Sequence, residues 1–384
     1  MKIYLDNAAT TPVDESVWES ALPYLKGLQG NPSSIHAYGR FARNAIEKAR
    51  RKIADILGTS PSEIFFTSGG TESDNTAIRG FVLAHQLKRI ITTRLEHHAV
   101  LHTVEYLKKY HGIEVVYLPI NQYGDIDLDE LEKLLQQKIP TLVSLMHGNN
   151  EIGNVLDLEK VGFLCKYYHA FFHSDTVQTV GYYPFRLSNL PVDSIVGSAH
   201  KFHGIKGSGF LYIKAGSHCL PLIFGGAQER NMRGGTENIA GIVAMATALE
   251  KAHEDRENIL QHALSLKKTA LSLIKELFNT QVCLNGRSAS LNILEALPHL
   301  VSLRLPPSDA NEMLLFNLDI EGIAVSGGSA CASGSVVGSH VMEALGVPQE
   351  AGVIRLSWSK YNKQEDIRIA LQQLHAITKR YQHV

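Results

Sequence analysis

The chain has 384 residues and a nearly balanced charge, with 37 Lys and Arg residues against 38 Asp and Glu residues. This balance gives no electrostatic reason to expect a nucleic acid or a membrane surface as a partner. Hydrophobic residues make up 44% of the chain and charged residues 20%, which is typical of a soluble globular protein and leaves room for two domains.

The N-terminal residues lack the apolar core of a signal peptide, and no apolar run is long enough to span a bilayer. The four cysteines are scattered and none forms a CxxC pair, which disfavours a disulfide framework or a zinc site. Together these features predict a cytoplasmic protein that works in a reducing environment.

Helical and strand-like patterns alternate along the first part of the chain. Apolar residues at helical spacing predict a helix over 42–57, which Gly58 ends. The predicted strands are Ile64–Thr67, Arg89–Thr93, Glu114–Leu118, Thr141–His147, Ala170–Ser174, Ser194–Gly197 and Gly209–Ile213. The helices predicted between them are Glu72–His85, Val100–Tyr110, Leu128–Gln137 and Leu158–Tyr168. This order predicts an α/β fold with a mostly parallel sheet, which binds ligands beyond the carboxyl ends of its strands.

The pattern changes in the second half of the chain. The sequence is almost continuously helical from Glu237 to Phe278, with one polar dip at 253–258, and predicts a long helix that carries the chain to a second domain. From about Cys283 onward, short strands and helices surround a Gly/Ser-rich loop at 326–335.

The segment Ser198–Lys201 closes an apolar strand and opens the glycine-rich stretch 202–209. Lys201 has small residues and two histidines around it, whereas surface lysines usually keep charged or polar neighbours. A desolvated lysine amine titrates low enough to form a Schiff base with an aldehyde. This segment alone supports equally well a lysine that ends a strand and caps a turn.

A glycine loop at 67–72 lies between a predicted strand and a predicted helix. Its glycines allow an anion to approach the backbone, where the first helical amides and the Thr71 hydroxyl can bind it. We therefore favour a phosphate site over a plain turn, although no lysine follows as in a Walker motif. A second glycine-rich segment, 225–236, precedes the long helix and could bind an anion in the same way.

Three other strands are followed by polar residues. His97 could stack on a flat heteroaromatic ring or move a proton, whereas a metal site with His98 lacks a third ligand near in sequence. Asn150 could form a turn or bind a ligand oxygen. Asp175 would need a cation such as a protonated pyridine nitrogen, and Gln178 could lie near the same ligand.

Two residues of the last third point to a reaction. Cys331 lies among Gly, Ser and Ala residues in a predicted loop, so we expect it to be exposed and able to act as a nucleophile. Arg355 lies inside an apolar, strand-like run, where arginine is seldom unpaired. A bidentate contact to a substrate carboxylate and an internal salt bridge would explain Arg355 equally well.

These segments, in this order and at these separations, resemble the pyridoxal-phosphate (PLP) cysteine desulfurases of the NifS/IscS type, group I, in the class-V aminotransferase family. The resemblance runs essentially from end to end of the chain. It is carried by the segments Tyr4–Pro12, Gly30–Ser34, Thr67–Asn75, Glu96–His97, Asn149–Gly153, Asp175–Gln178, Ser198–Lys201, Arg233–Thr236 and Ser329–Ser335.

The resemblance implies a role for each of the residues singled out above. Lys201 would bind PLP as a Schiff base and later move protons, Asp175 would pair with the ring nitrogen, and His97 would stack on the ring. The remaining cofactor contacts would come from Gly70, Thr71, Asn150, Gln178, Ser198, His200 and Thr236. Of these, Thr236 would reach the phosphate in the neighbouring subunit of a homodimer. The substrate carboxylate would be held by Asn31 and Arg355.

The resemblance also implies a fold and a division into domains. The fold is α/β, that of a fold-type I PLP-dependent transferase. A large PLP-binding domain over 12–255 would contain a mainly parallel seven-stranded sheet. A smaller α+β domain would combine 1–11 with 256–384 and carry the cysteine loop at about 326–337.

The implied reaction converts L-cysteine to L-alanine and transfers the sulfur to Cys331 as a persulfide. The sulfur would then pass to an iron–sulfur scaffold protein or to a tRNA- or cofactor-thiolation protein, with no direct nucleic-acid or membrane partner. No resident metal is expected, although Cys331 would transiently meet a nascent iron–sulfur cluster. The alternatives are a selenocysteine lyase, another fold-type I enzyme such as an aminotransferase, and a non-catalytic sulfur-trafficking adaptor.

The chain departs from the common family pattern at several positions. His203 and Ile205 stand where a tyrosine and a proline are common after the lysine, and His98 stands where lysine is frequent. Trp358–Lys360 replaces a more usual Leu-Gly-Arg. None of these changes removes a group to which the resemblance gives a catalytic role.

Overall fold

The computed structural model describes residues 2–27, 29–279, 281–327 and 339–381. Cys331 and most of the predicted cysteine loop lie outside these residues. The twelve described strands are β1 Ile3–Tyr4, β2 Ile64–Thr67, β3 Arg89–Thr92, β4 Glu114–Tyr117, β5 Thr141–Ser144, β6 Phe171–Asp175, β7 Ser194–Ser198, β8 Gly209–Ile213, β9 Cys283–Leu284, β10 Leu300–Pro307, β11 Ile323–Ala324 and β12 Ala351–Ser357.

Eleven α-helices accompany these strands in the described part of the chain. They are α1 Glu15–Lys26, α2 Ala37–Leu57, α3 Gly70–Ala84, α4 His98–His111, α5 Leu128–Gln136, α6 Leu158–Tyr167, α7 Ile239–Glu254, α8 Arg256–Phe278, α9 Leu314–Ile320, α10 His340–Ala344 and α11 Gln364–Tyr381. Across the described ranges, no helix combines the length and the apolar character that a membrane crossing requires.

The seven strands predicted in the first part of the chain form one sheet, in the order β2-β8-β7-β6-β5-β3-β4. Every neighbouring pair is parallel except those that involve β8, which runs antiparallel to β2 and β7. The segment 199–208 between β7 and β8 is too short for the helical crossover that a parallel connection needs. The predicted mainly parallel sheet is therefore confirmed, with β8 as its antiparallel member.

The central strands are buried on both faces of the sheet. All residues of β3, β5, β7 and β8 are buried. This burial explains why the strands read as continuous apolar runs rather than as alternating patterns. The carboxyl ends of β5, β6 and β7 lie side by side, so the residues that follow these strands meet at one edge of the sheet.

A second group of strands and helices packs around its own core. β10 pairs with β9 and β12 in a small antiparallel sheet, and β1 pairs with β11. The apolar residues of this core come from Ile3, Leu5 and the region from Ala263 to Ile377. The N-terminal residues are thus packed with the last third of the chain, while the division into domains at 12 and 255 stays a prediction.

The long helix predicted from Glu237 to Phe278 is in fact two helices, α7 and α8, that meet at Asp255. The break falls in the polar dip of the pattern. The side-chain amide of Asn258 donates a hydrogen bond of 2.7 Å to Oδ1 of Asp255. Asp and Asn side chains favour helix ends over helix interiors because they bond to local groups outside the helical pattern.

Candidate active site

One cavity of about 250 Å³ lies at the carboxyl ends of the sheet strands. It brings together ten of the residues that were predicted to form the site. These residues are Gly70, Thr71, His97, Asn150, Asp175, Gln178, Ser198, His200, Lys201 and Arg355. Six separate parts of the sequence therefore converge on one space, as expected for a ligand site of an α/β sheet.

Two predicted residues do not line this cavity. Asn31 is exposed, and its side-chain oxygen accepts a hydrogen bond of 2.9 Å from the amide of Ser33. Thr236 is also exposed and lies outside the lining. The proposed role of Thr236 belongs to the cavity of a neighbouring subunit, so it stays a prediction, as does the role of Asn31.

Lys201 ends a single 3-10 turn that follows β7. Its Nζ atom donates hydrogen bonds to the backbone carbonyl oxygens of Ala8 at 2.5 Å and Ala9 at 2.9 Å. The hydroxyl and the amide of Thr11 bond to the carbonyl oxygen of His200, which fastens the same N-terminal segment to the turn. The amine is thus held inside the cavity by uncharged oxygens, and it does not simply cap the turn.

Asp175 is the last residue of β6 and is 6% exposed. Its Oδ1 atom accepts a hydrogen bond of 2.9 Å from the amide of Val177. Burial raises the pKa of this carboxyl, whereas the nearby side chains of His97 and Lys201 lower it. A buried carboxylate in this position gains strongly from a cation placed in the cavity.

His97 is the N-cap residue of α4, and its Nδ1 atom accepts a hydrogen bond of 3.1 Å from the amide of Ala99. Because Nδ1 acts as an acceptor, the proton of the neutral ring lies on Nε2. Burial lowers the pKa of this imidazole, which favours the neutral form. The structure therefore presents a flat, neutral ring with one N–H donor at the cavity.

The amino end of α3 forms another wall of the cavity. α3 begins at Gly70, two residues earlier than predicted, so the amides of Gly70 and Thr71 belong to its unbonded first turn. A Cβ atom on Gly70 would lie 2.8 Å from Cγ2 of Val177, so any larger residue would crowd Val177 at this wall of the cavity. With Ser198 and His200 beside it, this wall has the donors and the close backbone that a phosphate requires.

The two adjacent asparagines after β5 have different roles. Asn149 is 3% exposed and shapes the turn, because its side-chain oxygen accepts hydrogen bonds from the amides of Glu151 and Ile152. Asn150 lines the cavity. Asn149 therefore forms the turn, while a contact of Asn150 with a ligand stays a prediction.

Gln178 and Arg355 close the remaining sides of the cavity. The Gln178 amide donates a hydrogen bond of 2.9 Å to the carbonyl oxygen of Ala8. Arg355, on β12, is 1% exposed and forms an ion pair of 2.7 Å with Asp6, so the internal salt bridge is present. A second bond of 2.8 Å joins Arg355 to the carbonyl oxygen of Asn150 and holds the guanidinium at the cavity.

Sequence reasoning missed several residues that line the cavity, among them Asp74, Glu151 and His340. Asp74 and Glu151 are each 1% exposed. Asp74 lies four residues after Gly70, and this helical spacing could have placed it on the same face of α3. No sequence signal connects Glu151 to its hydrogen-bond partner Ser339, because 188 residues separate the two. In the described ranges, no three His, Cys, Asp or Glu side chains are placed to hold a metal ion.

Comparisons with known proteins show the family to which the chain belongs. The family described as aminotransferase class-V matches residues 3–369. A relative named cysteine desulfurase IscS, from Dictyoglomus turgidum, is 43% identical over 98% of this chain and 94% of its own length. A solved NifS-like protein superposes with a TM-score of 0.88 and 37% identity, over 99% of this chain and 100% of its own. A structure described as "SspA in complex with cysteine" gives a TM-score of 0.79 at 30% identity, over 94% of this chain and 100% of its own.

Proposed function

Since the chain belongs to the PLP-dependent cysteine desulfurases of the class-V aminotransferase family, we propose that it binds PLP through Lys201 and converts L-cysteine to L-alanine. The chain has the fold-type I architecture of this family. Cys331 would be the sulfur acceptor. One observation carries this proposal. Lys201, Asp175 and His97 line the same cavity as the amino end of α3. Relatives named as desulfurases favour this reaction over transamination or a non-catalytic role.

The cavity residues fit the functional groups of PLP. The amides of Gly70 and Thr71, with Ser198 and His200, would bind the phosphate at the amino end of α3. Asp175 would pair with the protonated ring nitrogen, a cation that stabilises this buried carboxylate. When bound, PLP withdraws electrons from the substrate and makes loss of the α-proton and cleavage of the carbon–sulfur bond possible.

Lys201 would have two tasks. Its Nζ atom would first hold the cofactor covalently and then, once displaced by the amine of L-cysteine, carry the α-proton. The carbonyl oxygens of Ala8 and Ala9 accept hydrogen bonds from Nζ and would keep the displaced amine at the reacting carbon. The neutral ring of His97 would stack on the cofactor and offer its Nε2–H as a donor.

Arg355 would hold the substrate carboxylate together with Asn31. A guanidinium has five N–H donors, and Arg355 uses two of them in its bonds to Asp6 and Asn150. Its Nε atom is buried without a partner among the described residues, so a donor remains for an incoming carboxylate. A relative solved in complex with cysteine supports L-cysteine as the substrate.

The later steps are also part of the proposal. The Cys331 thiolate would take the substrate sulfur as a persulfide and pass it to an iron–sulfur scaffold or a thiolation protein in the cytoplasm. The enzyme would act as a homodimer in which Thr236 completes the phosphate site of the other subunit. We further propose that the cofactor domain covers 12–255 and that 1–11 with 256–384 form the smaller domain.

The reaction is tested by incubating the purified chain and PLP with L-cysteine and measuring alanine and sulfide. We expect Cys331→Ala to keep the visible absorbance of the lysine-bound cofactor but to lose desulfuration. Lys201→Ala should lose both that absorbance and turnover. Cys283→Ala, which removes an exposed cysteine outside the cavity, is the matched control and should behave as the unchanged enzyme. Undiminished sulfide release by Cys331→Ala would contradict the persulfide step.

A further inference from the structure

Asp74 is a buried acid of the cavity that the roles above do not use. It lies in the second turn of α3, and its Oδ1 atom is 3.3 Å from Nε2 of His173. The Nδ1 atom of His173 lies 2.8 Å from Oγ of Ser194. None of the three side chains is more than 1% exposed. They form one continuous hydrogen-bonded chain from α3 through β6 to β7.

These hydrogen bonds join α3 to β6, the two elements that would hold opposite ends of the cofactor. α3 begins at Gly70, the proposed phosphate end, and β6 finishes at Asp175, the proposed partner of the ring nitrogen. His173 lies two residues before Asp175, on the same face of β6. Because Asp74 contacts His173, it fixes the spacing between the amino end of α3 and the carboxyl end of β6.

Burial favours the neutral forms of both Asp74 and His173, which contact each other. Burial lowers the pKa of His173 to about 3, so its ring carries no charge near neutral pH. Burial, with Asp175 and Glu96 nearby, raises the pKa of Asp74 well above its usual range. A protonated Asp74 donates to Nε2 of His173, which leaves the Nδ1–H of the ring to donate to Ser194.

We propose that Asp74 and His173 are a positioning pair for PLP. In this pair, Asp74 acts as a hydrogen-bond donor that fixes the spacing between the amino end of α3 and Asp175, which would bind the two ends of the cofactor. A protonated Asp74 does this without placing a second negative charge beside Asp175. This inference rests on the proposed function only in taking PLP as the ligand. It assigns no contact with substrate to either residue, so both act through Asp175 and through α3.

The first test compares Asp74→Asn with Asp74→Ala in PLP titrations of the cofactor-free full-length chain. The asparagine amide keeps a donor toward Nε2 of His173, so we expect its dissociation constant for PLP to stay within about threefold of the original. Asp74→Ala should raise that constant at least about tenfold, since it leaves a buried acceptor unpaired. It should also shift the visible absorbance maximum of the bound cofactor.

Thr76→Val on the same helix is the matched control. Thr76 is also buried, but among the described residues its hydroxyl bonds only to the carbonyl oxygen of Glu72 within α3. We expect Thr76→Val to lower the melting temperature of the cofactor-free chain without weakening PLP binding. If Asp74→Ala binds PLP as tightly as Thr76→Val, the positioning role is overturned. If Asp74→Asn binds as weakly as Asp74→Ala, the neutral-donor role is overturned.

A second pair of variants gives an answer even if Asp74→Ala does not fold. His173→Gln places an amide near the position of Nε2 and keeps the contact with Asp74, whereas His173→Asn keeps only the contact with Ser194. We expect His173→Gln to bind PLP at least about fivefold more tightly than His173→Asn, a loss of about 1 kcal/mol in the latter. Equal affinities would overturn the inference. If the unmodified protein binds PLP but forms no alanine, the proposed reaction is refuted. The comparison of PLP affinities between His173→Gln and His173→Asn would still test the positioning pair.

Discussion

The guanidinium of Arg355 and the carboxylate of Asp6 lie 2.7 Å apart, at the place where Asp6 forms a parallel bridge with the end of β12. Arg355 also donates to the carbonyl oxygen of Asn150, in the turn after β5. One buried side chain thus joins three distant segments at the cavity. Asp6 already balances the charge of Arg355. The guanidinium is therefore not an unpaired buried cation before a substrate carboxylate binds.

Arg355→Lys tests whether this group binds the substrate. Lysine keeps the charge but lacks the planar set of donors that serves Asp6, Asn150 and a carboxylate together. We expect KM for L-cysteine to rise at least about tenfold, the loss of roughly one charge-assisted hydrogen bond, with little change in the visible spectrum of bound PLP. Arg287→Lys, at a half-exposed pair with Asp125, should leave KM unchanged. An unaltered KM in Arg355→Lys would remove Arg355 from the substrate site.

Gly70→Ala tests the phosphate end of the cavity. The new methyl group would lie 2.8 Å from Cγ2 of Val177, and a β-branched side chain cannot easily turn away. We expect PLP affinity to fall about tenfold, which corresponds to about 1.4 kcal/mol. The double variant with Val177→Ala removes the clashing carbon and should recover most of that affinity. If Val177→Ala gives no recovery, the crowding argument fails and the wall of the cavity is not set by this contact.

Glu229→Gln tests an ion pair that supports the edge of the sheet. Glu229 receives two hydrogen bonds from Arg50, at 2.7 and 2.8 Å, and one from the amide of Phe66 on β2. Both charged side chains are at most 3% exposed. Loss of the Glu229 charge leaves the buried Arg50 with only the partly exposed Glu47 as an ion-pair partner, so we expect the free energy of unfolding to fall by about 3 kcal/mol.

The matched control is Glu250→Gln, at a pair with Lys52 of similar length, 2.6 Å, whose side chains are more than one third exposed. Water and salt screen that pair, so we expect a loss of less than about 1 kcal/mol. Denaturant titrations of the cofactor-free variants measure both values. Equal losses of unfolding free energy in Glu229→Gln and Glu250→Gln would show that burial does not increase the stabilising effect of the Arg50 pair.

His147→Asn tests a pH dependence of stability. His147 is buried, its Nδ1 atom lies 2.8 Å from the Thr179 hydroxyl, and burial lowers its pKa to about 4. Between that pKa and about 6.5 the unfolded chain binds the proton and the folded chain does not, so acid favours unfolding. At pH 5 this histidine should cost the folded state about 2 kcal/mol more than at pH 7.

The asparagine variant keeps a polar group at the position of Nδ1 but does not titrate. Its loss of stability between pH 7 and pH 5 should therefore be about 2 kcal/mol smaller than that of the original chain. His253→Asn changes an exposed histidine and is the control, for which we expect no such difference. The comparison between variants is needed because Asp74 and Glu96, whose pKa values are raised by burial, change stability in the opposite direction. Parallel pH curves for His147→Asn and the original chain would contradict the prediction.

Most of the sheet and of the cofactor cavity could be predicted from the sequence, because both depend on local patterns. Strands buried on both faces read as apolar runs, and the residues that follow them meet at one edge. Lys201 and His97 follow such strands and Asp175 ends one, so topology alone brings them together. The family resemblance added the roles that we propose for these residues.

The remaining features depend on contacts between distant segments, which no local pattern records. The partners Asp6 and Arg355 are separated by 349 residues, so the sequence left two explanations of Arg355 open. The direction of β8 follows from the length of a single connection. Asp74 resembles any acidic residue near the start of a helix until the packing of α3 against β6 shows that it is buried.

The bonds from Lys201 to Ala8 and Ala9 have a consequence for the order in which the enzyme is made. The amide of Asn7 donates to the carbonyl oxygen of Ser357, and the amide of Ala8 donates to the Ser357 hydroxyl. The segment that holds the lysine amine is thus made long before the strand on which it docks. A nascent chain can complete its central sheet while its reactive amine is still unrestrained, so the finished site arises only after β12 has been made.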